Sequence, residues 1–365
     1  MLNDPPPPRV TEVDARTDSR YGLFVASHPD AVVFHHPAWL QVLEREYGGR
    51  SLVLASEDGA GELNGVLPLF YTKGMPFGLG GIQGTRRLSS LPRTPVAGPL
   101  ALNAAQTREL LRAARDRVAE PGLQLEIKSP QPLSPDATAG LTTVPWRVFY
   151  TLDLPAHPSD IRFGNSNRHS QIKRGVSKAV KQGLRSRLAE SESELAEWYA
   201  IYARTMRRNG AMARSRRFFT AMWELLRPLG LMRLWLAKRD GRVVAGVLTL
   251  GCGRTEFYAF GGWQQISECA HANDLLHWEA IHEACRLGFR SYDFGEVPHG
   301  DAGLAQFKSK WNTRAVRLER YYFPALRRPP SRSSGANFHR LAKLMWQHMP
   351  GFAAERLSDW VYGYL

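Results

Sequence analysis

Apolar and polar positions follow the same pattern in two distant stretches of the chain. The string LVLASEDG, Leu52 to Gly59, and the string LWLAKRDG, Leu234 to Gly241, share the frame L-x-L-A-x-x-D-G. Each is followed by a second apolar run, GVLPL from Gly65 or GVLTL from Gly246, so that the two frames recur at offsets of 182 and 181 residues. An apolar run, an Asp-Gly turn and another apolar run with β-branched residues predict a β-hairpin. The pattern therefore predicts two copies of one hairpin.

A helix and then a strand are predicted after both hairpins. Residues 106–120 carry apolar side chains at helical spacing, and residues 123–128 alternate as a strand. Residues 273–288 also have a helical period, end at a glycine suited to a helix C-terminus, and precede the strand-like RSYDFG. Chance likeness between hairpins of similar composition is the alternative explanation. We predict an α/β fold of two tandem domains, with mixed, largely antiparallel sheets flanked by helices, and a C-terminal helical tail.

Proline-rich segments set the predicted domain limits. The first boundary falls near Pro145 to Pro158, where the string TLDLPAHPSD has prolines and no helical period, and the basic linker ALRRPPSRSSGANF follows Pro324. We assign residues 1–150 to the first domain, 151–328 to the second, and 329–365 to the linker and amphipathic C-terminal helices. Packing of this tail on the body of the protein is favoured, although its basic face beside Trp346 permits contact with an anionic membrane surface.

The overall charge indicates a polyanionic partner. The 365 residues carry a formal charge of +14 and a pI near 10.0, which favours RNA, an anionic membrane or a phosphorylated substrate. No signal pattern and no run of about 18 apolar residues occurs, so we expect a cytoplasmic protein without a transmembrane segment. Three cysteines fit no disulfide or zinc pattern, and His277 and His282 are five residues apart, so no metal is expected.

Two segments concentrate the positive charge. Residues 160–187 contain eight Arg or Lys and one acid, and a helix from Gln171 would place Arg174, Lys178 and Lys181 opposite the apolar arc of Ile172, Val176, Ala179 and Val180. Residues 202–219 add six arginines and no acid. A solvated basic face normally also carries acids, so we predict a phosphate-binding groove that includes Arg168, Arg207 and Arg208.

Five strings, in order, resemble the Fem-type aminoacyl transferases, and more broadly the Fem-like branch of the GNAT N-acyltransferase superfamily. They are RHSQIKRGVSKAVKQG, YARTMRRNG with RRFF, EFYAFGGW, NDLLHWEAIHEACRLGFRSYDFGEV and GLAQFKSKW. The resemblance covers residues 32–324. It implies two GNAT-like domains with a cleft between them. It also implies transfer of an aminoacyl group from aminoacyl-tRNA to an amine, which in characterised relatives belongs to a cell-wall precursor.

The same resemblance suggests catalytic residues in the second half. The family's phenylalanine-lysine pair matches Phe307 and Lys308, and this implies that Lys308 stabilises the oxyanion formed when the amine attacks the ester. Lys310 competes for that role. Tyr258 would donate to the carbonyl or relay a proton, or is a core tyrosine. Asp293 would orient the amine, or cap the next turn.

Several features leave the function open. Asn273 is either a substrate ligand or a helix N-cap. No helical arm of the kind seen in many tRNA-dependent relatives is present. The string RPLGLM, Arg227 to Met232, fails the coenzyme A loop pattern at its last position. We expect no cofactor, with aminoacyl-tRNA as co-substrate and its acceptor end, or another phosphorylated substrate, as partner. An acyl-CoA-dependent N-acyltransferase of envelope or exopolysaccharide biosynthesis is the alternative, and a non-catalytic RNA- or membrane-surface-binding protein is the third.

Overall fold

A computed structural model describes residues 9–74, 86–118, 120–266, 269–325, 346–362 and 364. The described chain forms two compact units: unit 1 contains residues 9–147 and 317–325, and unit 2 contains residues 148–316 and 346–362. Whereas the sequence assigns residues up to 328 to a second domain, the contacts group 317–325 with unit 1. Both units combine helices with a mixed sheet, which confirms the predicted fold class.

Unit 1 is a twisted sheet with helices packed against it. Its strands and helices are β1 Arg9–Val13, α1 Ser19–Ser27, α2 Pro37–Tyr47, β2 Ser51–Glu57, β3 Leu63–Thr72, β4 Arg87–Ser89, β5 Leu100–Ala101, α3 Ala104–Asp116, β6 Gln124–Lys128 and, from later in the chain, β13 Arg314–Phe323. The strand order is β1-β2-β3-β4-β6-β13, and β5 pairs with β3. Leucines of β2, β3 and α3 form its core together with Leu125, Ile127 and Tyr321.

Unit 2 repeats this arrangement with more helices. Its elements are residues 148–153 of β7 Thr142–Asp153, α4 Ser166–Lys181, β8 Arg185–Leu188, α5 Glu192–Arg208, α6 Arg216–Leu225, β9 Met232–Arg239, β10 Arg242–Cys252, β11 Thr255–Trp263, α7 Ala272–Arg286, β12 Ser291–Val297, α8 Ala302–Ser309 and α9 Gly351–Tyr362. The strand order is β7-β12-β11-β10-β9-β8. Helix α7 contributes Leu275, Leu276 and Ile281 to the core.

The predicted duplication is confirmed at the level of topology. In unit 1 the antiparallel β2–β3 hairpin leads to β4, then α3, then β6 parallel to β4. In unit 2 the antiparallel β9–β10 hairpin leads to β11, then α7, then β12 parallel to β11. Asp240 and Gly241 turn the second hairpin with φ of +50° and +78°, the left-handed conformation for which Asp-Gly is suited.

Equivalent positions follow from the strand registers. Glu126 in β6 pairs with Ser89 of the parallel neighbour and with Tyr322 of the antiparallel one. Asp293 in β12 likewise pairs with Phe257 of β11 and with Thr151 of β7. Each unit therefore places one acidic residue at the same position of the strand that follows its crossover helix.

Some helices differ from the predictions in where they begin or in which residues they expose. Helix α4 begins at Ser166, five residues before the predicted start, because the Asn165 side chain accepts a hydrogen bond from the Arg168 amide. Val180 was placed on the packed face but is 43% exposed. Part of the predicted tail helix lies outside the described residues. The basic face predicted beside Trp346 falls on residues 339–343, which also lie outside the described residues, whereas exposed positions of α9 carry Glu355, Arg356 and Asp359.

Candidate functional site

Lys308 is a buried ammonium at the end of α8. Asp301 caps this helix by accepting a hydrogen bond from the Leu304 amide, and Lys308 follows in the last turn with only 3% of its surface exposed. Its Nζ donates to the Glu296 carbonyl oxygen at 3.0 Å. Burial lowers the pKa of Lys308 to about 8, against the opposing effect of the Asp293 carboxylate. Lys308 is therefore mainly cationic at neutral pH, without an ion-pair partner within salt-bridge distance among the described residues.

Asp293 lies on the neighbouring strand β12 and is also buried. Its Oδ1 accepts a hydrogen bond from the Gly295 amide at 2.6 Å, and the Thr151 side chain lies within hydrogen-bonding reach. Burial raises the pKa of Asp293 to about 7, although the Gly295 hydrogen bond and the charge of Lys308 oppose the rise. This carboxyl group can hold or release a proton near neutral pH. Its bond to Gly295 also stabilises the turn, so the capping role and a chemical role are compatible.

Tyr258 reaches the same region from β11. A β-bulge interrupts the β10–β11 pairing at Leu248/Thr249, directly opposite Tyr258, and such bulges redirect side chains. The Tyr258 hydroxyl has no hydrogen-bond partner among the described residues, and burial raises its pKa to about 12. A Cβ added to Gly261 would lie 2.2 Å from this hydroxyl, so the glycine makes room for it.

Gly295 shows how close these groups are to one another. Its φ is +75°, and a Cβ at this position would lie 3.7 Å from the Tyr258 carbonyl oxygen and 3.8 Å from Lys308 Nζ. The structure thus brings Lys308, Asp293 and the Tyr258 backbone together at the point where the pairing between β11 and β12 ends.

His277 is a further residue of this site, and the spacing of histidines in the sequence, which is relevant only to metal binding, does not indicate it. It lies on α7, 1% exposed, with its ring 4.6 Å from the Tyr258 ring and 5.4 Å from the Phe307 ring. Burial and the nearby Lys310 and Lys308 charges lower the pKa of His277 to about 3, so the imidazole is neutral. No signal in the sequence identifies this aromatic environment. The described residues contain no cluster of His, Cys, Asp and Glu able to hold a metal ion.

A pocket of about 490 Å³ opens beside this group in unit 2. Its lining includes aromatic residues, amides and charged groups: Trp263, Gln264, Gln265, Asn273, Asp274, Phe307 and Lys310. Lys310 pairs with Asp274, whose other oxygen is 3.0 Å from His271 Nδ1. Lys310, the competitor of Lys308, therefore faces the pocket as one member of an ion pair, whereas Lys308 does not line it.

Asn273 also faces the pocket rather than capping its helix. The N-cap of α7 is His271, with φ of +70°, and the helix begins at Ala272. The interpretation of Asn273 as the N-cap is therefore wrong, because the N-cap lies two residues earlier. Its side chain is available to a molecule in the pocket.

The first basic segment presents its charges as predicted. Arg174, Lys178 and Lys181 are exposed on α4 and make no ion pair with any described residue. Arg168 lies at the start of the same helix, where its Nη1 donates to the Ser309 carbonyl oxygen at 3.4 Å. This contact joins the basic helix to the end of α8, next to Lys308.

The second basic segment packs three of its six arginines, whereas Arg204, Arg216 and Arg217 are exposed. Arg214 is buried between the rings of Phe218 and Tyr362, at 4.6 and 4.8 Å from their centroids. Arg208 stacks on Trp263 at 5.1 Å and donates to its carbonyl oxygen. Arg207 is half-buried near Gly351 of α9. Arg208 therefore supports a pocket wall and is not a free cation.

One protein family matches the part of the chain that holds these residues. Residues 166–309 match the family model described as an acetyltransferase (GNAT) domain. Residues 166–309 are therefore similar to a GNAT domain. The matched range includes α4, Tyr258, Asp293 and Lys308 of this domain. A search of curated proteins gives no significant match.

Solved structures of low sequence identity share the fold of this chain. FemX has a TM-score of 0.64 and 15% identity, with 86% of this chain and 96% of that chain covered. The C-terminal domain of a putative lysylphosphatidylglycerol synthetase from Agrobacterium fabrum has a TM-score of 0.56 and 14% identity, covering 86% and 93%. A tandem GNAT protein from the clavulanic acid biosynthesis pathway has a TM-score of 0.50 and 12% identity, covering 89% and 100%. These likenesses confirm the tandem GNAT fold.

Proposed function

We propose that this protein forms an amide by transferring an aminoacyl group from aminoacyl-tRNA to an amine. The observation that carries the proposal is the buried ammonium of Lys308, held by one carbonyl oxygen and located beside the buried carboxyl group of Asp293. A fixed cation in a water-poor site stabilises an oxyanion far better than a solvated one, and a single such donor contributes about 10²–10³ in rate.

Lys308 and Asp293 have separate roles in the proposed reaction. The acceptor amine attacks the ester carbonyl carbon of the donor, a C–N bond forms, and the carbonyl electrons move to an oxygen that Lys308 stabilises. Asp293 in its carboxylate form takes the proton that the amine loses. When the tetrahedral intermediate collapses, the C–O bond breaks and the leaving ribose oxygen takes up the proton that Asp293 holds. No covalent bond to the protein is needed.

The exposed cations of α4 support a phosphate-bearing donor. Arg174, Lys178 and Lys181 lie on the helix whose first turn contacts the end of α8 through Arg168. The acceptor end of a tRNA carries one phosphate per nucleotide, and each phosphate neutralised by a lysine releases a condensed counterion. Binding of this donor should therefore weaken steeply as salt is raised.

Acyl-CoA is the second candidate donor. The matched family is named for acetyl transfer, and one similar structure is a tandem GNAT protein described in its form without AcCoA. The pocket beside Lys310 offers aromatic walls from Trp263 and Phe307, which would also accept a simple acyl chain. The acceptor in either case is an amine of a cell-wall precursor, an exopolysaccharide or a small metabolite.

Charged tRNAs and acyl-CoAs, offered together with candidate amines, test the proposal by mass measurement of the products. We expect an aminoacylated amine whose formation stops when ribonuclease is added. The double variant Lys178→Gln/Lys181→Gln should raise the KM for tRNA and flatten its salt dependence. Arg108→Gln/Arg112→Gln, two exposed cations on α3 of unit 1, is the matched control. Product formation from acyl-CoA that resists ribonuclease would replace the tRNA donor.

A further inference from the structure

Unit 1 contains a buried cluster of charged residues that the catalytic proposal does not use. We call Glu126, Arg87, Arg320 and Lys128 the cationic centre. Glu126 accepts from Arg320 at 2.6 Å and from Arg87 at 3.0 Å, and Lys128 Nζ lies 3.8 Å from it. The Tyr322 hydroxyl donates to the same carboxylate at 3.1 Å.

The charges of the cationic centre do not balance. Three cationic side chains surround one carboxylate, which leaves an excess of two positive charges when Lys128 is protonated. Glu126 and Lys128 are 2% and 5% exposed, and Arg87 and Arg320 are 11% and 12% exposed, so little water screens the excess. Burying a charge without a counter-charge costs several kcal/mol. Burial and the neighbouring arginines lower the pKa of Lys128 to about 7, although Glu126 opposes the fall.

One donor of the cationic centre also lacks an acceptor. Arg320 Nε is buried and makes no hydrogen bond to any described residue. The Arg320 guanidinium stacks on the Trp146 ring, with its central carbon 3.5 Å from the ring centroid, so its plane is fixed. A fixed guanidinium with a free N–H edge is suited to the paired oxygens of a phosphate or a carboxylate.

The equivalent position in unit 2 shows that the fold does not require this excess. There Asp293 has a single cationic neighbour, Lys308. The other buried pair of unit 2, Arg233 with Glu256 at 3.0 Å, also contains one charge of each sign. Neither of these two sites in unit 2 carries the excess of positive charge found around Glu126.

We propose that the cationic centre of unit 1 binds a small dianion, such as a phosphoryl group or a pair of carboxylates. Two negative charges balance the excess positive charge. Arg320 Nε supplies a hydrogen-bond donor, and the dianion reaches the centre through the exposed parts of the Arg87 and Arg320 side chains. Lys128 donates to the Leu91 carbonyl oxygen at 2.6 Å and takes up a proton when the dianion binds. This site is separate from the residues assigned to acyl transfer and does not depend on the proposed function.

Titration of the purified full-length protein with inorganic phosphate, and separately with malonate, tests this site at constant ionic strength with chloride as the reference anion. We expect a rise in melting temperature that saturates with phosphate or malonate and that chloride does not reproduce. Tighter binding of phosphate assigns a phosphoryl ligand, and tighter binding of malonate assigns a dicarboxylate. Either result supports the proposal, whereas equal effects of all three anions would overturn it.

Substitutions test which residues bind the dianion. Arg320→Lys keeps the charge but removes the planar edge, and should weaken the affinity at least tenfold. Arg233→Lys, a buried arginine paired with a glutamate in unit 2, should leave the affinity within twofold. Lys178→Gln/Lys181→Gln on α4 should also leave it unchanged. Loss of binding in the α4 variant with retention in Arg320→Lys would place the anion on α4 and end the proposal.

Proton uptake gives a second readout that does not rely on stability. Calorimetry at pH 7.5 in two buffers of different ionisation enthalpy, corrected for the protons that the anion itself releases on binding as a dianion, should show uptake of a fraction of a proton per dianion bound. Lys128→Met should bind more weakly and take up none. If Arg320→Lys fails to fold, this measurement decides alone, and binding without proton uptake in the wild type would refute the assigned centre.

Discussion

Replacement of Lys308 by methionine separates the chemistry of this residue from its contribution to stability. The ammonium is 3% exposed, and burial lowers its pKa from 10.5 to about 8. By the linkage relation this shift corresponds to about 3 kcal/mol of unfavourable burial of the charge at neutral pH. The variant also loses the hydrogen bond to the Glu296 carbonyl oxygen, and this loss destabilises it by about 1 kcal/mol. Lys308→Met should therefore leave the protein equally stable or more stable by about 1–2 kcal/mol.

The rate should change in the opposite direction. Without the cation, the oxyanion loses about 2.7–4 kcal/mol of stabilisation, so kcat should fall about 10²–10³-fold. The assay is single-turnover transfer to an amine, combined with urea unfolding at pH 7. Lys308→Arg keeps the positive charge and should retain more activity than Lys308→Met.

The pH dependence of stability supplies the refuting result. Between pH 8 and 10.5 the unfolded chain binds a proton at Lys308 that the folded chain does not, so wild-type stability gains from this residue as the pH rises. Lys308→Met should lack that gain. A variant that loses stability but keeps its rate within threefold would show that Lys308 is structural, and the proposed mechanism would be wrong.

Three further perturbations follow from the site. The rate should rise with pH through about 7 as Asp293 ionises and fall above about 8 as Lys308 deprotonates, and Asp293→Asn should abolish the rising limb. If the Tyr258 hydroxyl donates to the reacting carbonyl, Gly261→Ala, which displaces this hydroxyl, should lower kcat at least tenfold. The double variant with Tyr258→Phe should be no slower than the slower single variant if both changes act through this hydroxyl. Arg214→Met should loosen α9, and limited proteolysis should then cleave the C-terminal helix faster than in the wild type.

Local patterns in the sequence predicted the repeated module because local rules govern it. The turn at Asp240 requires positive φ, which Asp-Gly accommodates. The strands beside it are wholly apolar or alternate between apolar and polar residues, so the sequence predicted the hairpins. The topology of both modules is confirmed. The alternation of residues 123–128 predicted strand β6, but it did not indicate that Glu126 and Lys128 are buried like Leu125 and Ile127.

Long-range contacts account for what the sequence did not predict. Arg87, Glu126 and Arg320 are far apart in the chain, and only strand pairing in unit 1 brings them together. The one-signed segment around Arg214 reads as a cationic surface, but stacking on Phe218 and Tyr362 buries that guanidinium. Lys308 was identified by resemblance to a family, because no local pattern distinguishes a buried lysine from a surface one.

The position of β13 in unit 1 affects the order in which the protein can be completed during synthesis. Residues 320–323 pair with β6, although the whole of unit 2 up to residue 316 is translated in between. Until the ribosome has released those last residues, the edge of β6 has no partner, and the emerging polypeptide exposes a strand to neighbouring nascent chains. A stop codon shortly before residue 317 would therefore damage the half of the protein that was made first.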